Sequence, residues 1–212
     1  FPGLGLLSTT WIEPGATWAD RYVIRVPATA YTPDRAQVAV GLYNAAGRLM
    51  IDGNADHVTF GQIDLRPNAG QVPNPIAVNF GDRMALVGYD LNALAARPGE
   101  TITLTLYWRG LKEMAHNYSI SAQLVNEELV KVAQDSNWPL GGDAPTMLWQ
   151  PGNLLVDPKR LTIAPDAAPG NYDVRITVHG NPDGQTVNLP IISERGEMLS
   201  NHVLLTRVRV YP

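Results

Sequence analysis

Residues 101–110 read TITLTLYWRG, an apolar-polar alternation kept over a whole segment. Ile102, Leu104, Leu106 and Trp108 fall on one face of an extended chain, and Thr101, Thr103, Thr105 and Tyr107 on the other. A period of two matches a half-buried strand and no helix. The pattern recurs in NYSISAQLV, where Tyr118, Ile120, Ala122 and Leu124 share a face. It recurs again in DRYVIRVP (Tyr22, Ile24, Val26) and in NYDVRITVHG (Tyr172, Val174, Ile176, Val178). Between such segments stand RPGE at 97–100, APGN at 168–171 and NPDG at 181–184, each with Pro and Gly where a reversal needs a preset or positive φ. The one helix-like stretch, LNALAARP, is short and runs into Pro98. Many short strands at near-regular spacing predict an all-β fold, an antiparallel β-sandwich of immunoglobulin-like or jelly-roll-like type. Its core is expected to contain Leu104, Leu106, Trp108, Tyr118, Ile120, Leu124, Ile176 and Val178.

The chain also resembles itself. HVTFGQIDLRP at 57–67 aligns without a gap with HVLLTRVRVYP at 202–212. Upstream, TWIEPGATWADRYVIRVP from Thr10 matches TMLWQPGNLLVDPKRLTIAP from Thr146. That pairs Trp11 with Trp149 and Asp20 with Asp157. AQVAVGLYNAAG then aligns with DVRITVHGNPDG, setting Asn44 on Asn181 and Gly47 on Gly184. Residues 79–145 have no counterpart upstream. The expected organisation is one complete copy plus a partial copy. Residues 1–67 form the back half of a β-sandwich repeat, 68–78 a Pro-rich stiff linker, and 79–212 a complete β-sandwich repeat. In the partial copy Tyr22, Ile24, Val26, Val38 and Val40 would line a sheet with no facing layer. That predicts packing on the neighbouring domain or a homodimer through the partial repeat.

Composition narrows the function classes. The chain of 212 residues has a formal net charge of -4 and no basic stripe, which argues against nucleic acid or an anionic membrane surface as partner. It has no cysteine, so no disulfide, thiolate metal site or cysteine nucleophile. No apolar run reaches the ~18 residues of a membrane span. The opening FPGLGLLSTTW lacks a signal pattern, so any anchor is expected outside these residues.

Motifs that carry chemistry are sparse. Asp52, Asn54 and Asp56 in DGNADH follow the first half of a calcium loop. The sixth position holds His57 where Gly belongs, and the twelfth holds Ile63 where a bidentate Glu belongs. The expectation is therefore no metal and no cofactor. His57, His116, His179 and His202 are too far apart in sequence for a helical zinc pair. His57 and His202 hold equivalent repeat positions, which predicts a structural role beside a strand start. No nucleophile elbow or phosphate loop is present, so no catalytic residue is assigned. Glu100, Glu113, Glu127, Glu128, Asp135 and Asp143 remain as carboxylates that a β-rich glycoside hydrolase would need in facing pairs. Tyr107 and Trp138 are the candidates for stacking on a sugar ring.

FGDRMALVGYDL, PGETITLTLYWRG, NYSISAQLV, AQDSNWPLGGDAPT and the W-x-P-G and A-P-G-x-Y segments that follow resemble a β-sandwich module of bacterial membrane proteins. That module is appended on the extracytoplasmic side of multi-pass glycosyltransferases similar to the dolichyl-phosphate-mannose protein mannosyltransferases, and it can occur in tandem. The resemblance covers 79–212 throughout and 7–67 as a back half. It implies an extracytoplasmic location and a membrane-anchored parent protein as partner. It also implies a non-catalytic role in spacing, substrate presentation or partner contact. A carbohydrate-binding module is the alternative, with a glycan as ligand, and a glycoside hydrolase the third reading.

Overall fold

The computed structural model describes residues 13–17, 19–24, 26, 34–44, 47–51, 53–66 and 72–212. Strands β1 (Asp34–Val40), β2 (Tyr43–Asn44), β3 (Gly47–Arg48) and β4 (Val58–Leu65) lie in the first part of the chain. From Val72 onward come β5 (Val78–Phe80), β6 (Met84–Leu91), β7 (Ala95–Ala96), β8 (Thr101–Gly110), β9 (Tyr118–Val125) and β10 (Lys131–Asn137). They are followed by β11 (Leu154–Thr162), β12 (Gly170–Gly180), β13 (Val187–Asn188), β14 (Ile191–Ile192), β15 (Met198–Ser200) and β16 (Val203–Val210).

Residues 72–212 form two facing sheets, ordered β10-β9-β12-β16-β7 and β11-β8-β6-β5-β14-β15. The chain is an all-β sandwich, as the alternation requires. Every residue expected in the core is buried, with Leu104, Leu106, Trp108 and Ile120 wholly out of solvent. Phe80 tilts against Trp108 with ring centroids 5.6 Å apart. The Tyr89 hydroxyl crosses to the other sheet and donates to the Leu205 carbonyl at 3.4 Å. At the turn from β11 into β12, the Tyr172 hydroxyl donates to the Ala168 carbonyl at 2.8 Å. Immunoglobulin-like sandwiches make such a corner contact where the chain passes between sheets.

Three expectations are corrected. The helix-like LNALAARP segment holds a strand instead: Ala95 and Ala96 pair in parallel with Arg209 and Val210 on β16. Pro98 rules out a helix continuing there, and the sheet edge supplies the hydrogen bonds. The linker expected over 68–78 ends sooner, because residues 72–76 belong to the sandwich. Asn74 is buried and its side-chain amide donates to the Tyr89 carbonyl at 3.0 Å. Ile76 N donates to the Val87 carbonyl at 3.0 Å. Gly88 allows this crossing, since a β-carbon there would stand 2.6 Å from the Pro73 carbonyl oxygen. Finally, no strand forms over residues 19–24 and 26, where DRYVIRVP predicted one.

In the first part of the chain β1 and β4 pair as a two-stranded antiparallel sheet. Its register runs from Asp34 opposite Leu65 to Val40 opposite Val58, with one break between Val38 and Ala39. The β12–β16 pair runs from Gly170 opposite Val210 to Ile176 opposite Val203, with its break between Asp173 and Arg175. Laid on each other, the two hairpins share register, and the return strand carries an extra residue at the same point. The pairing equates Ala36, Val38 and Val40 with Tyr172, Val174 and Ile176. It thus moves the alignment of this strand by one residue from the sequence match of Asn44 with Asn181. A one-residue slip exchanges the two faces of a strand, so only the paired register keeps Val38 equivalent to an inward-facing residue. The superposition expected of Trp11 on Trp149 lies outside the described residues.

Candidate functional site

A groove of about 470 Å³ opens at one end of the sandwich. Its walls come from the loop before β9 (His116, Asn117), the end of β12 and the turn beyond it (His179, Asn181, Thr186), and Trp138. Trp138 follows β10, is 43% exposed and lines the groove. The described residues that line the groove include no Asp, Glu, Lys or Arg. Amides, two hydroxyls and two imidazoles supply hydrogen-bond donors and acceptors around one indole. Burial holds His179 below the usual histidine pKa, so its ring stays neutral at pH 7 and can both donate and accept.

The walls are tied together from behind. The Thr146 hydroxyl is wholly buried; it accepts from Tyr118 N at 2.9 Å and donates to the His116 carbonyl at 3.2 Å. Asn117 Oδ1 accepts from Met147 N at 3.1 Å. Trp138 itself is set by a buried ion pair. Asp157 and Lys159 occupy inward positions of β11, with Lys159 Nζ 3.2 Å from Asp157 Oδ2. Asp157 Oδ1 accepts from Leu140 N at 2.8 Å, and Lys159 Nζ donates to the Asn137 carbonyl at 3.4 Å. The pair therefore grips the chain on both sides of Trp138. Leu140 and Gly141 there take left-handed backbone angles (φ 54° and 67°), which turn the chain sharply after Pro139. Burial pushes the Asp157 carboxyl up, and the Leu140 N–H and Lys159 act against that rise.

Of the two aromatic candidates, only Trp138 joins this groove. Tyr107 lies in β8 between Gly88 and Val156, on the outward face of the other sheet, and is half-buried. Burial there, with Asp90 nearby, raises its phenol pKa. Of the calcium-loop candidates only Asn54 and Asp56 fall among the described residues; Asp52 lies outside them. Asp56 is engaged: Oδ2 accepts from Arg48 Nη1 at 3.2 Å, and Oδ1 lies 2.6 Å from His57 Nδ1. Asn54 sits in the turn that bonds back to the Ile51 carbonyl. Among the described residues no group of three or more His, Cys, Asp or Glu could hold a metal ion.

His57 and His202 play matching parts at their strand starts. His57 Nδ1 meets the side-chain oxygen of Asp56, and His202 Nδ1 that of Asn201 at 3.1 Å. The carboxylates considered for hydrolysis are spread through turns and strand ends. Glu100 Oε2 accepts from Arg97 N at 2.8 Å, and Asp135 Oδ2 from Arg160 N at 2.8 Å. Glu127 and Glu128 sit exposed at the β9–β10 turn. None of these lines the Trp138 groove.

Sequence reasoning missed Asp157, Lys159, His179 and Asn117 as parts of a site. One signal was available: an Asp and a Lys at alternate positions on the strand face that Leu161 shares. A charged pair on an apolar stripe has to meet partners inside the fold.

No protein-family model matches the chain. No curated protein matches it either. Among solved structures it is similar to the crystal structure of Spo0M, a sporulation control protein from Bacillus subtilis. That likeness has 15% identity and a TM-score of 0.30 over 65% of this chain, and it spans half the length of the other.

Proposed function

We infer that this chain is a non-catalytic, immunoglobulin-like sandwich module whose Trp138 groove binds a carbohydrate. In this reading it works at the extracytoplasmic face of a bacterial membrane, as part of a glycosyltransferase-like parent protein. There it would space the parent or present glycan to it. The observation that carries the reading is the exposed indole of Trp138 beside amides, hydroxyls and imidazoles in one groove. A sugar ring offers an apolar C–H face for stacking and a rim of hydroxyls. An indole flanked by amides and imidazoles answers both. The β-sandwich and the resemblance of its segments to modules appended to membrane glycosyltransferases support the setting. No helix among the described residues is long and apolar enough to cross a membrane, so in this reading the anchor belongs to the parent.

Isothermal titration against a panel of neutral oligosaccharides tests the reading. At least one should bind with Kd below about 1 mM, and Trp138→Ala should weaken it at least about tenfold, or ~1.4 kcal/mol. Asn117→Ala should weaken it as well, whereas Tyr107→Ala should not. A panel without any binder, or binding indifferent to Trp138→Ala, refutes the groove.

A further inference from the structure

The β1–β4 hairpin leaves unmet the contacts that its counterpart β12–β16 makes. Facing positions agree residue by residue, but their surroundings do not. Phe60 is 68% exposed where Leu205 is 3%, and Ile63 is 46% exposed where Val208 is fully buried. The layer that covers Leu205 and Val208 is the sheet containing β6 and β8, through Tyr89, Leu106 and their neighbours. A second contact is missing at the edge. β12 is flanked by β16 on one side and β9 on the other, whereas β1 pairs only with β4 among the described residues. The third concerns residues 19–24. Their counterpart in the repeat is β11, whose strand partner is β8 alone, and without such a neighbour they form no strand. An apolar face, an open edge and a strand-like segment that forms no strand thus call for counterparts of β6, β9 and β8, which lie together in residues 84–125.

We propose that the β1–β4 face is the docking surface for a polypeptide segment built like residues 84–125, carrying counterparts of β6, β8 and β9. A second copy of residues 1–212 is a poor source. Its β8 is already held between β11 and β6, and its β9 between β10 and β12. The opposite face of the hairpin is the solvent side: it carries Arg35 and Asp64, paired at 3.1 Å with both side chains exposed. The inference stands apart from the Trp138 groove and would survive its failure.

Hydrogen exchange read by mass spectrometry tests it on two chains: residues 1–212, and the same chain with a second copy of residues 72–145 placed before Phe1. In the first, which should sediment as a monomer, 34–40 and 58–65 should exchange at least about a hundredfold faster than 170–180 and 203–210. In the extended chain 34–40 and 58–65 should slow by a similar factor. Phe60→Asp should restore fast exchange there while leaving the melting of residues 1–212 unchanged. A dimer of residues 1–212 that protects 34–65 would assign the face to a second copy and overturn the proposal. So would slow exchange in the monomer, or an added segment that leaves 34–65 unprotected.

Discussion

The β1–β4 and β12–β16 hairpins have one register and one irregularity in common, yet only one of them belongs to a core. Local pairing is therefore compatible with both environments. A hairpin's register comes from the strands' own hydrogen bonds and the position of the extra residue, neither of which needs a facing sheet. Burial does need one. Ile176, Val208 and Leu205 lose their water to the opposite sheet, and Val40, Ile63 and Phe60 keep theirs. The polar faces have diverged too. Asp173 and Arg207 pair across β12–β16 at 2.7 Å, where Gln37 stands opposite Gln62 in β1–β4.

The largest effect expected to separate the two regions is at the aspartate that the repeat places in both. Asp157→Ala strands Lys159 in the core and frees Leu140 N, and should cost ~3–5 kcal/mol in urea denaturation. Asp20→Ala should stay within about 0.5 kcal/mol. Equal effects would mean that the two aspartates share an environment, and the comparison would break. Apolar truncation comes next. Ile176→Ala should cost ~2–5 kcal/mol, and Val40→Ala, its counterpart, within about 0.5 kcal/mol in residues 1–212. A large loss from Val40→Ala would show that something already covers the first hairpin. Gly88→Ala sharpens the boundary of the complete sandwich. Its new β-carbon meets the Pro73 carbonyl, so the variant should lose ~1–3 kcal/mol by forcing residues 72–74 off β6.

The smallest effect is with pH. Asp56 is held below the usual carboxylate pKa, first by its hydrogen bond to His57 and then by Arg48. A depressed folded-state pKa stabilises the fold above the ordinary carboxylate range, and that contribution is lost as pH falls through the depressed value. Asn201, the counterpart in the second hairpin, does not titrate. Acidification from pH 5 to 2 should therefore shift the amide resonances of His57 and Val58 and leave those of His202 and Val203 in place. Matching shifts in both would remove Asp56 as the cause.

How far this molecule can be read from its residues depends on whether neighbours in sequence are neighbours in space. The alternation of Thr101–Gly110 settles which side chains turn inward, because a strand's period is a property of its backbone and no distant contact can alter it. The same holds for Tyr118–Val125 and Gly170–Gly180, and for the turn at Arg97–Glu100, where Gly99 takes φ 86°. The likeness of residues 57–67 to 202–212 likewise foretells paired histidines at two strand starts. The groove follows a different logic. Trp138 and His116 come from two loops and His179 from the end of β12, and only the sheet order β10-β9-β12 brings them together. Tyr107 looked as free as Trp138, but the chain crossing at Gly88 and the β11 strand leave it half-buried. Lys159 shows the limit most plainly. Its residue type predicts solvent, and only tertiary structure supplies the buried carboxylate and carbonyl that let an ammonium group stay inside. The sequence by itself determined the strands, the turns and which faces are apolar, since those rest on steric and periodic rules along the chain. What covers each apolar face, and which loop ends share a groove, was decided by packing between segments far apart in sequence, where one added layer changes an exposed valine into a core residue.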